Sequence, residues 1–386
     1  MASIPNDDFT LYGMQASLYT GKARAYLRRN RIPFTERGAG HPEFAARIMP
    51  AVGRFIMPVI EAPDGTLVQD GTDILDWLET HGFGREPLYP DDAVLKAVAL
   101  LFELFGNEGL LRPAMHYRWN FDAQNLGFIR NSFRDVLPGG LSPEQYDAMF
   151  DHASGRMRKA ARAFGVSDET IPTIEAAYAE FLALADAHFG ANYFLLGGQP
   201  TVGDYGLFNP LYAHLARDPA PAHLMKTTAP DVWNWVERMN AAEAREEHAI
   251  ADAPTGMFAR DQLPDTLTAL MAYVAQEYLA EITAHVAFAN QWLAEQGDDP
   301  ALVKAPLGRG IGFTEFSWRG QRISTAVLPY RFYLLQRLTD HVAEASAADQ
   351  TAIRALFAST GLEPMLDLRT DRRVLRRDHH EVWEPV

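Results

Sequence analysis

Apolar positions recur at two different periods along this chain, and the change of period divides it. In the first 85 residues short apolar runs mix with helical stripes. The runs predict strands over 9–13, 57–61 and 66–69, with a weaker one near 33–37, and the stripes predict helices near 19–30 and 71–81. The Gly/Pro-rich segment Gly82-Phe83-Gly84-Arg85-Glu86-Pro87-Leu88-Tyr89-Pro90 then breaks the pattern. Beyond it strand signals are scarce. Val94, Ala97, Val98, Leu101, Leu104 and Phe105 fall at helical spacing within 93–108. Further helices are expected near 142–164, 170–189, 202–216 and 230–241. The expected organisation is a small α+β domain over 1–85, an all-helical domain over 86–250, and an extension over 251–386.

The extension is harder to read. Gln262–Gln296 has helical composition and Tyr330–Ala347 is amphipathic, while 306–313 and 316–320 suggest loop or short strand. Tyr330, Phe332, Tyr333, Leu334, Leu335 and Leu338 make a stripe too apolar to leave exposed, so the extension is expected to pack on the helical domain. His379-His380-Glu381 lacks metalloprotease spacing and reads as a surface tail. Gly308, Gly310 and Gly312 fit neither a dinucleotide fingerprint nor a phosphate loop. No metal cluster is expected.

Composition narrows the chemistry. The chain has 386 residues, 47% of them hydrophobic, enough for a substantial core. Its net charge of −15 argues against nucleic acid or an anionic membrane as partner. No apolar run approaches the roughly 18 residues of a membrane span, and residues 1–8 show no secretory pattern, so a cytoplasmic location is expected. There is no cysteine. Sulfur chemistry, if any, must use a bound thiol, since the protein offers no thiolate of its own.

The stretch from Met57 is the most informative. A proline that opens a strand cannot donate to the ladder, and a cis peptide aimed at a ligand is one reason to place it there. Asp64-Gly65 follows as a hairpin turn. Asp70-Gly71-Thr72 then begins an amphipathic helix, whose free backbone N–H groups attract anions. Upstream, Phe9–Gly13 leads through a polar loop into the helix that holds Lys22. This βα…ββα order resembles the thioredoxin-like domain of the glutathione transferase superfamily. Phe194–Tyr205 resembles the family's second-domain signature, in which Thr201 and Asp204 form a capping box. The resemblance covers roughly residues 8–245 and leaves the extension unexplained.

It implies glutathione as co-substrate, a homodimer, and a detoxifying transfer of glutathione thiolate to a small hydrophobic electrophile. A non-catalytic binding or assembly module, and a glutathione-dependent lyase or isomerase, remain as alternatives. A cysteine thiol with a pKa near 8.5 is about 3% ionised at neutral pH, and lowering it by about two units takes about 2.7 kcal/mol. A hydroxyl at a helix start can supply this. Ser17, five residues before Lys22, holds the family's activating position, with Tyr19 and Thr20 as the other candidates. The resemblance implies Met57 and Pro58 as the backbone clamp, Asp70, Gly71 and Thr72 as the γ-glutamyl site, and Arg54 as the glycyl carboxylate contact. Gly71 departs from the family's usual Ser. Arg112, His116 and Tyr117, with Met14, are candidates for the electrophile pocket, Arg112 and His116 being alternatively helix-end residues suited to the dipole.

Overall fold

The computed structural model describes residues 8–241, 250, 253–297 and 306–385. The N-terminal reading on residues 1–7 lies outside these. The chain begins with a four-stranded sheet in the order β2-β1-β3-β4. Its strands are β1 Phe9–Tyr12, β2 Phe34–Arg37, β3 Val59–Glu61 and β4 Leu67–Gln69. β1 runs parallel to β2, as the intervening helix α1 Thr20–Arg29 requires, and antiparallel to β3. Every residue of β1 is buried, which suits the centre of a sheet covered on both faces. A short helix, α2 Met49–Val52, precedes β3, and α3 Gly71–Thr80 follows β4. This is a thioredoxin-like unit.

The next region is helical. It comprises α4 Ala93–Leu104, α5 Leu111–Trp119, α6 Asp122–Ser132, α7 Pro143–Ala163, α8 Ile171–Phe189, α9 Val202–Pro210, α10 Pro219–Thr228 and α11 Pro230–Asn240. The Asp92 carboxylate starts α4 by accepting the N–H groups of Val94 and Leu95. The capping box of Thr201 and Asp204 starts α9. Asp204 does more than cap: its carboxylate also accepts from Leu195 N–H at 2.8 Å and Trp235 Nε1–H at 3.2 Å. α4 and α9 cross in backbone contact, since a Cβ on Gly206 would stand 2.6 Å from Glu103 Cα. Only glycine permits that approach.

The extension contributes α12 Asp265–Val274, α13 Ala280–Gln296, the hairpin β5 Gly312–Trp318 and β6 Gln321–Val327, α14 Pro329–Glu344, α15 Ala347–Ser359, and a second hairpin, β7 Val374–Arg377 and β8 His380–Trp383. α14 and α15 pack on α4. One apolar core runs without a break from Phe9 through Leu101 and Leu335 to Trp383. The extension is therefore part of the body of the protein.

Three helices read as continuous widen instead into π-helical turns, at Phe105–Gly109, Leu211–Ala216 and Ala275–Leu279. The first and last of these pack on each other. Such turns have the same apolar stripe as an α-helix, so periodicity does not reveal them. Helices α5, α6, α10 and α15 and the hairpin β7–β8 were not anticipated from the pattern. Among the described residues no helix is long and apolar enough to cross a membrane.

Candidate functional site

The loop between β1 and α1 forms one end of the candidate cleft. Tyr19 precedes α1 without giving a side-chain cap, and the first N–H of the helix, that of Thr20, donates to Ser17 O at 3.4 Å. The third N–H, that of Lys22, is satisfied by Asn209 Oδ1 at 2.8 Å. Ser17 is half-buried; its N–H donates to Met14 O at 3.1 Å, and no hydrogen bond of its hydroxyl is found among the described residues. Thr20 is fully buried with an unpartnered hydroxyl, its methyl pressed over Gly13. The Met57–Pro58 peptide is cis. The β1–β3 register, Tyr12 opposite Val59, sets Met57 beside the end of β1, and no partner for its backbone N–H or C=O is found among the described residues. Arg118 anchors this loop from α5. It donates to Ala16 O at 2.8 Å and to both oxygens of the buried Asp218 at 2.6 and 2.8 Å. Ser17 and Thr20 thus flank the start of α1, and Met57 lies beside the end of β1.

Tyr19 is engaged differently. Its hydroxyl donates to Glu108 Oε1 at 3.2 Å, and its ring meets Tyr330 edge-on. Burial, then the Glu108 carboxylate, pushes that hydroxyl well above its ordinary value. Tyr19 is committed to Glu108 as a neutral donor.

The other end of the cleft is covered by the extension. Asp70 caps α3 in a strained backbone, φ 91, and its Oδ1 accepts from Thr72 N–H at 2.7 Å. The same oxygen accepts from the Tyr330 hydroxyl at 2.9 Å, and Thr72 Oγ1 lies 3.1 Å from Tyr330. Arg54 donates to Glu381 Oε2 at 2.8 Å, His379 O at 2.7 Å and Gln69 Oε1 at 3.1 Å. Arg376 pairs with Asp73 at 3.0 Å and also reaches Glu381 and Gln69. Glu381, read as part of a surface tail, is instead 8% exposed and central to this cluster. Burial, followed by the nearby Asp70 charge, raises Asp73 to about 6.

Gly71 has a packing reason. A Cβ there would stand 2.9 Å from Lys22 Cε and 3.0 Å from Tyr19 O. The buried Lys22 ammonium occupies this space, donating to Thr72 Oγ1 at 2.5 Å and Glu103 at 3.0 Å. The missing serine hydroxyl is thus matched by a resident lysine.

Arg112 fits neither reading, whereas His116 lies in the last turn of α5 as the helix-end reading had it. Arg112 is buried and paired with Glu281 at 2.6 Å and Glu277 at 3.2 Å, its guanidinium 4.5 Å from the Trp318 ring centre. His116 contacts Glu175 at 3.0 Å and Asn120 at 2.8 Å. Tyr117 stacks on Phe121, and Met14 is buried. On this face Arg112 is covered by the Ala275–Leu279 turn, α13 and β5, and His116 and Tyr117 pack on α8 and Phe121. Arg331 completes the layer, bonded to Glu108 at 3.1 Å and paired with Glu281. Charges so desolvated hold together only because each has a partner.

Sequence reasoning gave Gln69 and Arg376 no role, counted Arg118 with the electrophile-pocket arginines although it anchors the loop after β1, and read Glu381 as a surface tail. The apolar pairs Val374-Leu375 and Val382-Trp383 on either side of a charged run were the available hairpin signal.

Comparison with known proteins agrees with this architecture. Residues 11–86 match the family model of the glutathione S-transferase N-terminal domain. No curated protein matches the chain. A glutathione transferase from Phanerochaete chrysosporium superposes with TM-score 0.43 at 16% identity, over 62% of this chain and 98% of its own. The beta-etherase LigF from Sphingobium sp. gives 0.42 at 16%, over 62% and 97%. A glutathione S-transferase of Ceriporiopsis subvermispora in complex with glutathione gives 0.36 at 18%, over 61% and 98%. The chain carries the thioredoxin-like N-terminal domain of the glutathione transferase superfamily, followed by a mostly helical region.

Proposed function

We propose that this chain is a glutathione transferase-like enzyme that directs a bound glutathione thiol at a small hydrophobic electrophile. Bound glutathione would supply the thiolate. Ser17 Oγ–H donates to the sulfur and, with the positive end of the α1 dipole, favours its anion. Met57 offers its backbone N–H and C=O to the cysteinyl unit as an added strand would. The carrying observation is the pair of unpartnered groups at this end, the Ser17 hydroxyl and the Met57 backbone. Thr20 is a second hydroxyl at the same helix start. Asp70 and Arg54 remain the proposed contacts for the ligand's ammonium and glycyl carboxylate. The residues suit the group at the thiol end. At the peptide ends they suit it only once the extension's side chains have moved.

Retention on immobilised glutathione with elution by free glutathione, followed by turnover of a panel of electrophiles, tests the reading. Retention with turnover that falls in Ser17→Ala supports it. Absence of both rejects it in favour of a non-catalytic glutathione transferase-like module. One observation favours that second reading: Arg54, Gln69, Asp70 and Thr72 are all bonded to residues of this same chain.

A further inference from the structure

Two charged ends of a zwitterionic peptide need a cation and an acid set along one edge of a cleft. Arg54 and the Asp70–Asp73 turn provide them, with Gln69 between. In this chain each already faces its opposite. Glu381 brings a carboxylate to Arg54 at 2.8 Å, and Arg376 brings a guanidinium to Asp73 at 3.0 Å. These are the two charges a peptide ligand would bring. We infer that the hairpin β7–β8 is an internal latch, whose Glu381 and Arg376 stand in for the charged ends of such a ligand and compete with it. The inference rests on the glutathione reading given above.

The hairpin is built for this. Its base is apolar and anchored, with Val374, Val382 and Trp383 no more than 2% exposed. Its tip carries the charges and turns through Asp378 and His379, both at positive φ, 46 and 66. Such a two-residue turn normally takes glycine or asparagine. The tip presses on Gly53, where a Cβ would stand 2.9 Å from His380 Nε2. A hairpin held by apolar packing at its base and by ion pairs at its tip can release the tip while the core stays closed. The incoming ligand replaces each lost ion pair with one of its own. The cost is the population of the open state, which lowers apparent affinity by that fraction.

The test titrates reduced glutathione calorimetrically into the full chain, Arg376→Gln, Glu381→Gln and the double variant. Hydrogen exchange over 374–383 is followed with and without it. The latch predicts affinity about tenfold higher in the double variant, with each single variant between. It also predicts faster exchange of the hairpin tip in the wild-type chain at saturating glutathione. Equal affinities and an unchanged hairpin overturn the latch and leave the proposed function standing. Absence of binding by all four chains overturns the proposed function and the latch with it.

Discussion

The two ends of the candidate cleft are held in opposite ways. At the thiol end, the Ser17 hydroxyl and the Met57 backbone N–H and C=O have no partner among the described residues while their supports are fixed: Arg118 ties the loop to Asp218, and Asn209 ties α1 to α9. At the peptide end, Arg54 and Asp70 are bonded, and their partners come from the last sixty residues of the chain. A site with satisfied groups at one end and open groups at the other is arranged for a ligand that must displace something to bind. The difference teaches that the extension belongs to the cleft and is more than padding on the helical domain.

The largest effect should come from breaking the support of the thiol end. Arg118→Met leaves Asp218 buried without its cation and frees the Ala16 carbonyl. A cost of about 3–5 kcal/mol is expected, read as a fall in the denaturant midpoint. A variant as stable as wild type would show that the loop is held elsewhere. Ser17→Ala tests the open end. Its hydroxyl bonds nothing among the described residues, so stability should stay within about 0.5 kcal/mol while turnover drops about 10- to 1000-fold near neutral pH. The defect should shrink as pH rises and the thiol ionises unaided. Equal loss of stability and turnover would make Ser17 a structural residue.

Tyr330→Phe tests the covered end. It removes the hydroxyl that donates to Asp70, and a cost of about 1–2 kcal/mol follows for the carboxylate left behind. Urea denaturation reads it, and an unchanged midpoint would mean the bond adds nothing. Asp73 gives the most specific effect. Its folded pKa is raised from 3.8 to about 6. The folded state therefore binds a proton the unfolded state has released, and this contribution to stability is lost as pH rises from about 4 to about 6. Asp73→Asn should flatten that part of the stability profile. The buried His285, lowered to about 3 chiefly by desolvation and then by Arg331, acts in the opposite sense, weakening the fold as pH falls below 6.5. A profile that keeps its Asp73 component in the Asn variant would place the titration elsewhere.

What the sequence disclosed follows from distance along the chain. The cis Met57–Pro58 peptide and the Asp70 cap of α3 were legible because each sits at a fixed offset from a strand or helix start that its own neighbours define. The Thr201–Asp204 box was legible for the same reason. Arg54 was named, but its partner Glu381 lies 327 residues away, and a single glutamate in a polar run carries no signal for that pairing. Arg112 was misread likewise: its partner Glu277 is 165 residues on, within a π-helical turn that the periodicity concealed. Gly71 looked like a loss of function, and became intelligible once Lys22 was seen filling the space beside it. Local backbone chemistry reads forward from sequence; ion pairs closed by tertiary structure do not.

The central claim is that the open end ionises a bound thiol. The direct measurement is the ultraviolet thiolate absorbance of bound glutathione against pH, in the Arg376→Gln/Glu381→Gln chain and in the same chain with Ser17→Ala. The account predicts ionisation centred about two units below that of an ordinary cysteine thiol in the first and a return toward the ordinary value in the second. Superimposable titration curves, or a bound thiol that ionises no earlier than a free one, would contradict it.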